Sequence, residues 1–446
     1  MNKKRQPNIV YSMSDDQRHD YMGCAGHPFL DTPAMDRLAE EGLHFTNAFT
    51  AIPLCAPSRA SHMTGVYPHE HGVLNNSESL NEGMTFWARL LQEAGYRTGF
   101  VGKIHFDNAD VPKPGFDFWA SQFGAGGQGH YFDPWFNVNG EEIQIPGYNS
   151  DVMAELALRF IEEEDDRPWA LCLWYKAPHQ PFDPPERYSE AYGDADLPPP
   201  SAATLTREGK SRSLQEREGG PLTDEKGEFD PDRPFFDGKT WSEFIRDYAR
   251  SIRGLDDALG AVLDKLDEIG AADDTMVIHT SDHGYFHGEF GLWDKRWLHD
   301  PSIRVPLLIR YPDLIDSPGR KVDELILSLD LPATITDLAG AGVPRHYQGK
   351  SLRPLLAGEG EWHREYVLVE YFEDPPHPEA PTTFCLRTAD AKLIRYFREG
   401  EIEECYDLRN DPDEVHNVIY DPRYRPLVEE LRSLLAGAMA EFGAHA

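Results

Sequence analysis

The sequence predicts an α/β protein with a large, mainly parallel sheet flanked by helices on both faces and a small C-terminal α+β subdomain. Through the first three quarters of the chain, short apolar runs alternate with helix-period segments, and chemically reactive residues follow directly on those runs. Beyond residue 360 the order changes to strands and then a helix. A chain of 446 residues is long enough for one large α/β body with an appendage. The expected division is a main domain at 1–360 and a subdomain at 361–446 with a short antiparallel sheet and a helix.

Residues 8–13 open the sheet with an apolar run of strand length, and 33–42 supply the first helix. A helix at 84–94, a strand at 97–101, a helix at 151–164 and a strand at 169–175 follow. A long helical pattern near 242–269 precedes strands at 275–280 and 305–310. Asp15 and Asp16 stand after the first strand, Lys103 and His105 after the second, His179 after the third, and Asp282 and His283 after the fourth. Strand ends of a mainly parallel sheet share one edge, where α/β sites form. Segment 183–240, rich in Pro, Gly and charge, interrupts the alternation as an irregular insertion, either a substrate-facing lid or a solvated loop. In the subdomain, strands are expected at 365–371, 383–388 and 391–397, and a helix near 424–441.

Lys and Arg number 43 against 77 Asp and Glu, a formal net charge of −34. That balance argues against a general nucleic-acid or anionic-membrane binder, and any anionic substrate must be met by a local cluster of cations. Five cysteines (Cys24, Cys55, Cys172, Cys385, Cys405) are widely spaced and form no C-x-x-C, so neither a disulfide framework nor a zinc knuckle is expected. No stretch approaches the ~20 apolar residues of a membrane span. The opening M-N-K-K-R-Q-P runs straight into the first strand with no apolar run of signal-peptide length, which points to a cytoplasmic protein; a mature secreted form would look the same.

Residues 55–65 read C-A-P-S-R-A-S-H-M-T-G. This run resembles the modification site of the type I, formylglycine-dependent sulfatases of the alkaline phosphatase superfamily. Similar in kind and order are P-N-I-V-Y-S-M-S-D-D-Q at 7–17, D-T-P-A-M-D-R-L-A-E-E-G at 31–42, G-K-I-H at 102–105, A-P-H-Q-P-F at 177–182, T-S-D-H-G at 280–284, D-K-R-W at 294–297 and Y-D-L-R-N-D-P-D-E at 406–414. The resemblance implies that a formylglycine-generating enzyme oxidises Cys55 and that the hydrated aldehyde is the nucleophile. A sulfated serine would be a stable ester, whereas a sulfated aldehyde hydrate can expel sulfate with its second hydroxyl.

Cleaving a sulfate ester develops negative charge that a divalent cation and fixed cationic side chains can stabilise. Asp15, Asp16 and Asp282 are the expected oxygen ligands for Ca²⁺, or Mg²⁺, with Cys55 and His283 completing the metal set. His283 departs from the family's commoner S-D-N-G, and imidazole suits softer metals, so a different metal or a role beside the nucleophile also fits. Arg59, one helical turn after Cys55 if P-S-R opens a helix, would hold the aldehyde hydrate. By resemblance Lys103, His105, His179 and Lys295 contact sulfate or nucleophile, with His105 as base and Lys295 with His179 protonating the leaving alcohol. His69 and His71 line the pocket or stabilise a turn; Trp293, Trp297, His299 and Arg304 form a sugar or aryl subsite or pack in the core; His377 is a rim candidate.

The sequence thus points to a sulfuric ester hydrolase acting on a small sulfated carbohydrate, a substrate class suggested by the likeness of D-K-R-W to that of glycan sulfatases. A phosphonate monoester or phosphodiester hydrolase is the nearest rival. A non-catalytic glycan-binding relative would have lost the nucleophile or a ligand, and neither is missing.

Overall fold

The computed structural model describes residues 6–107 and 111–445; residues 1–5, which bear on the N-terminal expectation, lie outside it. Apolar runs that read as fully buried strands form the centre of a ten-stranded sheet. In chain order its strands are β1 (Asn8–Ser14), β2 (Leu43–Phe45), β3 (Arg97–Gly102), β4 (Phe118–Phe123), β5 (Trp135–Val138), β6 (Glu141–Gln144), β7 (Trp169–Trp174), β8 (Thr275–Ser281), β9 (Leu307–Arg310) and β10 (Arg320–Val322). They lie side by side as β10-β2-β9-β8-β1-β7-β3-β4-β5-β6. The run β8-β1-β7-β3-β4 is parallel throughout. Every residue of β1, β3, β7 and β8 is buried, as strands covered on both faces must be, which is why they read as continuous apolar segments.

The sheet is mixed at its flanks. β9 runs antiparallel to β8, and β5 to β4. The strand expected at 305–310 is split: Arg304–Val305 pairs with Ala48–Phe49 in a separate small sheet, and Leu307–Arg310 joins the large one. Pro306, which has no N–H for a ladder, stands at the break.

The helices of seven residues or more are α1 (Pro33–Glu41), α2 (Cys55–Thr64), α3 (Trp87–Glu93), α4 (Asn149–Ile161), α5 (Trp241–Glu268), α6 (Asp330–Leu338) and α7 (Arg425–Phe442). Alternate strand residues point to opposite faces. Val10, Leu171 and Val277 pack with Leu38, Met153, Phe160 and Leu255 of α1, α4 and α5. Tyr11, Cys172 and Ile278 pack with Ala60, Trp87 and Ile335 of α2, α3 and α6.

Strands β11 (Tyr366–Tyr371), β12 (Thr383–Thr388), β13 (Ala391–Tyr396) and β14 (Glu404–Asp407) form an antiparallel sheet crossed by α7. Sequence reasoning missed β14, four residues long. This sheet shares a core with the main body through Phe49, Leu54, Cys385, Leu393 and Leu431. Buried polar contacts reinforce the join, including the ion pair of Lys392 with Asp300 at 2.5 Å and the hydrogen bond between His299 Nε2 and Glu404 at 3.0 Å.

The insertion is anchored to the main body and the subdomain at Arg207 and Lys210. Arg207 donates to the carbonyls of Phe290 and Gly291, and Lys210 Nζ donates to the Tyr406 hydroxyl at 2.6 Å.

Helix α1 takes its cap from another helix. Thr32 makes no side-chain cap bond, and the buried Asp256 of α5 accepts from the amides of Ala34 at 3.0 Å and Met35 at 2.9 Å. Asp256→Ala strands both donors in the core and is expected to lower unfolding free energy by about 1–3 kcal/mol in urea titrations. Asp256→Asn, which retains one acceptor oxygen, is expected to cost less.

Candidate active site

The four central parallel strands end at one edge, where their loops converge on the start of α2. Cys55 is the first residue of this fully buried helix, so its side chain sits at the positive end of the helix dipole. Its Sγ lies 3.6 Å from Asp15 Oδ1 and 3.3 Å from His283 Nε2. Burial and Asp15 push the thiol pKa up; Lys103, Lys295 and His283 more than offset them, leaving it below the ordinary value.

One turn on, Arg59 is fully buried and ties the strand ends together. Its Nη2 donates to Asp15 Oδ2 at 2.9 Å and to the Tyr175 carbonyl at 3.3 Å, its Nε to Asp282 Oδ2 at 3.0 Å, and its Nη1 to the Lys103 carbonyl at 2.7 Å. Lys103 Nζ pairs with the same Asp15 carboxylate and donates to Gln128 Oε1 at 2.5 Å. Its backbone reaches the edge because Gly102 precedes it: a Cβ there would meet the Trp174 carbonyl oxygen at 2.0 Å, and φ is +122°. Lys295 Nζ donates to Asp16 Oδ1 at 2.7 Å. Burial would raise the Asp15 carboxyl, yet Lys103, His179, Arg59 and Lys295 hold it well below the usual range.

Asp15, Asp16, Cys55 and His283 offer donor atoms that all lie within 4.8 Å of one another, and all four residues are buried. Asp16 is the telling member. Its Oδ2 is buried with no hydrogen-bond partner among the described residues, and burial pushes its carboxyl up to about 7 against the pull of Lys295 and His283. Two carboxylates, an imidazole and the Cys55 side chain around an unpartnered oxygen fit a metal ion. His283 is pushed down by burial but up to about 9 overall by Asp282 and Cys55. Asp282 stands at the edge of the group. Its Oδ1 accepts from the amides of Asp16 at 3.2 Å and His283 at 2.9 Å and lies 3.6 Å from His283 Nε2, while Oδ2 faces Arg59.

His105 and His179 flank the site. Burial first, and then Lys103, hold both rings well below the ordinary imidazole value, so each is neutral at pH 7. His105 Nε2 is 2.9 Å from the Gln128 amide, and its Nδ1 is buried with no partner among the described residues. His179 Nδ1 lies 2.9 Å from the Gln180 carbonyl, and its Nε2 is 3.8 Å from Asp16 Oδ2. Asp16, His105, Asp294 and Arg296 all have φ between +66° and +85°. Non-glycine residues in this left-handed region are strained and concentrate at functional sites.

A cavity of about 630 Å³ lies beside this cluster and shares Gln128 and His179 with it. Tyr131, Lys176 and Trp293 line it too, and the insertion contributes Phe235, Phe236 and Asp237. Of the aromatic subsite candidates, only Trp293 is there. Trp297 packs in the subdomain core, His299 pairs with Glu404, and Arg304 Nε donates to the Thr46 carbonyl at 2.9 Å. His69 bridges Glu370 at 2.6 Å and the Phe442 carbonyl at 2.8 Å, and His71 binds Ser61 Oγ at 3.0 Å. Both are structural. His377 lies 3.2 Å from Glu379 and is absent from the cavity wall. Sequence reasoning missed Gln128, Tyr131 and Lys176; the glycine-rich G-A-G-G-Q-G-H at 124–130 and the Lys beside A-P-H were the available signals.

The sulfatase family model matches residues 7–341, and that of the N-sulphoglucosamine sulphohydrolase C-terminal segment matches 288–441. The chain belongs to the sulfatase family. It is a sulfatase, an enzyme of sulfate-ester hydrolysis, and the family generally uses a metal and formylglycine. An N-acetylglucosamine-6-O-sulfatase of Bacteroides thetaiotaomicron is 30% identical, over 98% of this chain and 87% of the relative. A solved structure of a protein in complex with its substrate D-glucosamine-2-N,6-O-disulfate superposes with TM-score 0.90 at 29% identity over 98% of each chain. The phosphonate monoester hydrolase of Agrobacterium radiobacter, at TM-score 0.80 and 24% identity over 98% of this chain and 96% of that one, shares the fold.

Metal loading of this sulfatase is expected to depend on pH with a definite sign. Asp16 near 7 and His283 near 9 must lose their protons to become ligands, so affinity rises with pH through that range. The gain in Tm on adding Ca²⁺ to metal-free protein is expected to be several degrees larger at about pH 8.5 than at about pH 6. Equal gains at both values would separate these two residues from the metal.

Proposed function

We propose that this sulfatase removes sulfate from a sulfated sugar of the glucosamine class, with formylglycine formed at Cys55 as nucleophile and Ca²⁺ as metal. The reading rests above all on one arrangement: a dense cationic and metal-ready cluster around Cys55, with an aromatic-walled cavity beside it that shares Gln128 and His179. The substrate named for the solved relative supports the sugar class.

Asp15, Asp16 and Asp282, with His283 and the Cys55 position, would hold the metal, which supplies Lewis-acid stabilisation of charge on the sulfate oxygens. The hydrated aldehyde at Cys55 supplies a nucleophile able to expel sulfate and regenerate itself. Arg59 fixes the Asp15 and Asp282 carboxylates and sets its positive charge beside the nucleophile. Lys103 and Lys295 place ammonium groups against the sulfate, where charge-assisted bonds strengthen as the ester bond breaks. Neutral His105 takes up the proton released during sulfate expulsion.

Protonation of the leaving alcohol falls to Lys295 with His179. Because His179 Nδ1 faces a carbonyl, its proton sits there in the neutral ring and Nε2 holds a lone pair. Uptake of a proton at Nε2, favoured by the arriving negative charge, turns that atom into the donor. Trp293, Tyr131, Phe235 and Phe236 supply apolar faces for the sugar, and the insertion that carries the two phenylalanines acts as a lid.

Peptide mass spectrometry of active protein is expected to show the change from CH₂SH to CHO at Cys55, installed by a formylglycine-generating enzyme, and Cys55→Ala to abolish turnover with the fold intact. Full activity with an unmodified thiol would remove the mechanism.

With matched leaving groups, kcat/KM for a sulfated sugar is expected to exceed that for a phosphonate or phosphodiester by at least ~10²-fold, about 2.7 kcal/mol of transition-state preference. The reverse order across several leaving groups would assign the same machinery to phosphorus esters.

A further inference from the structure

The three cations beside the nucleophile each have a carboxylate partner that offsets their charge: Arg59 has Asp15 and Asp282, Lys103 has Asp15, and Lys295 has Asp16. Lys176 is different. It follows β7 on the loop that also carries His179, is only 2% exposed, and lines the substrate cavity with His179, Tyr131 and Trp293. Its ammonium donates to the Gln180 carbonyl at 3.2 Å and lies 4.9 Å from the Tyr131 ring centroid. Among the described residues it has no carboxylate partner, and two of its three N–H donors have no acceptor.

A buried ammonium without a counter-ion is costly unless something supplies the missing charge. Here the gap faces a cavity, in a protein whose net charge of −34 repels anions at long range. The scissile sulfate is already provided for by Lys103, Lys295 and the metal residues. A further cation in the adjoining wall serves a further negative charge.

We propose that Lys176 binds a second sulfo group of the substrate, so that the enzyme selects sugars carrying two sulfates over those carrying one. The inference rests on the sugar-sulfatase reading above and names a narrower substrate class within it. Burial, and next the charge of Lys103, push the Lys176 pKa down to about 7 in the absence of substrate. A second sulfo group would draw a proton onto the amine and complete the ion pair. The Tyr131 ring face, 4.9 Å from Nζ, keeps the amine in the wall.

The test is calorimetric binding to a Cys55→Ala background, in which turnover is blocked. The two probes are D-glucosamine-2-N,6-O-disulfate and N-acetylglucosamine 6-O-sulfate. With Lys176 present, the disulfate is expected to bind at least ~10-fold more tightly, the scale of one charge-assisted bond, and Lys176→Met is expected to bring the ratio close to one. Lys176→Gln gives the same reading should the Met variant fail to fold. No preference with Lys176 present, or a preference that survives both substitutions, overturns the proposal, as does failure of both sugars to bind. A binding preference accompanied by no hydrolysis of either sugar by the modified Cys55 enzyme would overturn the proposed reaction and leave the Lys176 assignment standing.

Discussion

Arg59 holds the site together. One guanidinium bonds to Asp15 after β1, the Lys103 carbonyl after β3, the Tyr175 carbonyl after β7 and Asp282 after β8. Four neighbouring parallel strands are thereby locked at their ends to the helix that begins with Cys55. The planar fork of arginine suits this task, because its donors leave in several fixed directions at once and its charge is never lost. A lysine could satisfy one of the two carboxylates but not span both. Such a pair is held by its own completeness: removing one buried partner leaves a charge uncompensated, at about 3–5 kcal/mol.

From this clamp follows the electrostatic layout. The chain is acidic overall, yet its reaction site needs to attract an anion. The conflict is resolved by distance, since solvent and salt screen the surface charge over about 10 Å while the cluster around Cys55 acts at contact range in a buried setting. Asp15 pairs with two cations through Oδ2 and sits well below the usual carboxylate pKa, whereas Asp16 keeps an oxygen unpartnered among the described residues and sits near 7. Two adjacent residues of one type thus differ in state, because Arg59 and Lys103 both converge on the first.

The backbone is strained where the chemistry is dense. Left-handed φ values at Asp16, His105, Asp294 and Arg296 turn the chain out of strand geometry, and at Asp15 and Asp16 two successive side chains reach the same small volume. Regular strand geometry cannot do this, since it sends neighbours to opposite faces. The buried sheet behind these turns holds them in place.

The sequence by itself determined the central strands, because a strand buried on both faces must be apolar throughout, and it determined which residues stand at their ends. The run around Cys55, with Asp15, Asp16, Lys103, His105, His179, Asp282, His283 and Lys295 in order, made the family legible, since each lies beside a local motif. Strands β5, β6 and β14, four residues each, are too short to carry a long apolar run, and β6 is exposed throughout, although each pairs with a strand close by in the chain. Tertiary structure alone decided that Asp256 caps α1, that His69 anchors the subdomain while Trp293 reaches the cavity, and that Lys176 is left without a counter-ion. Those outcomes depend on which charges meet across long sequence separations. A local pattern records the periodicity of burial but not the partner on the other side.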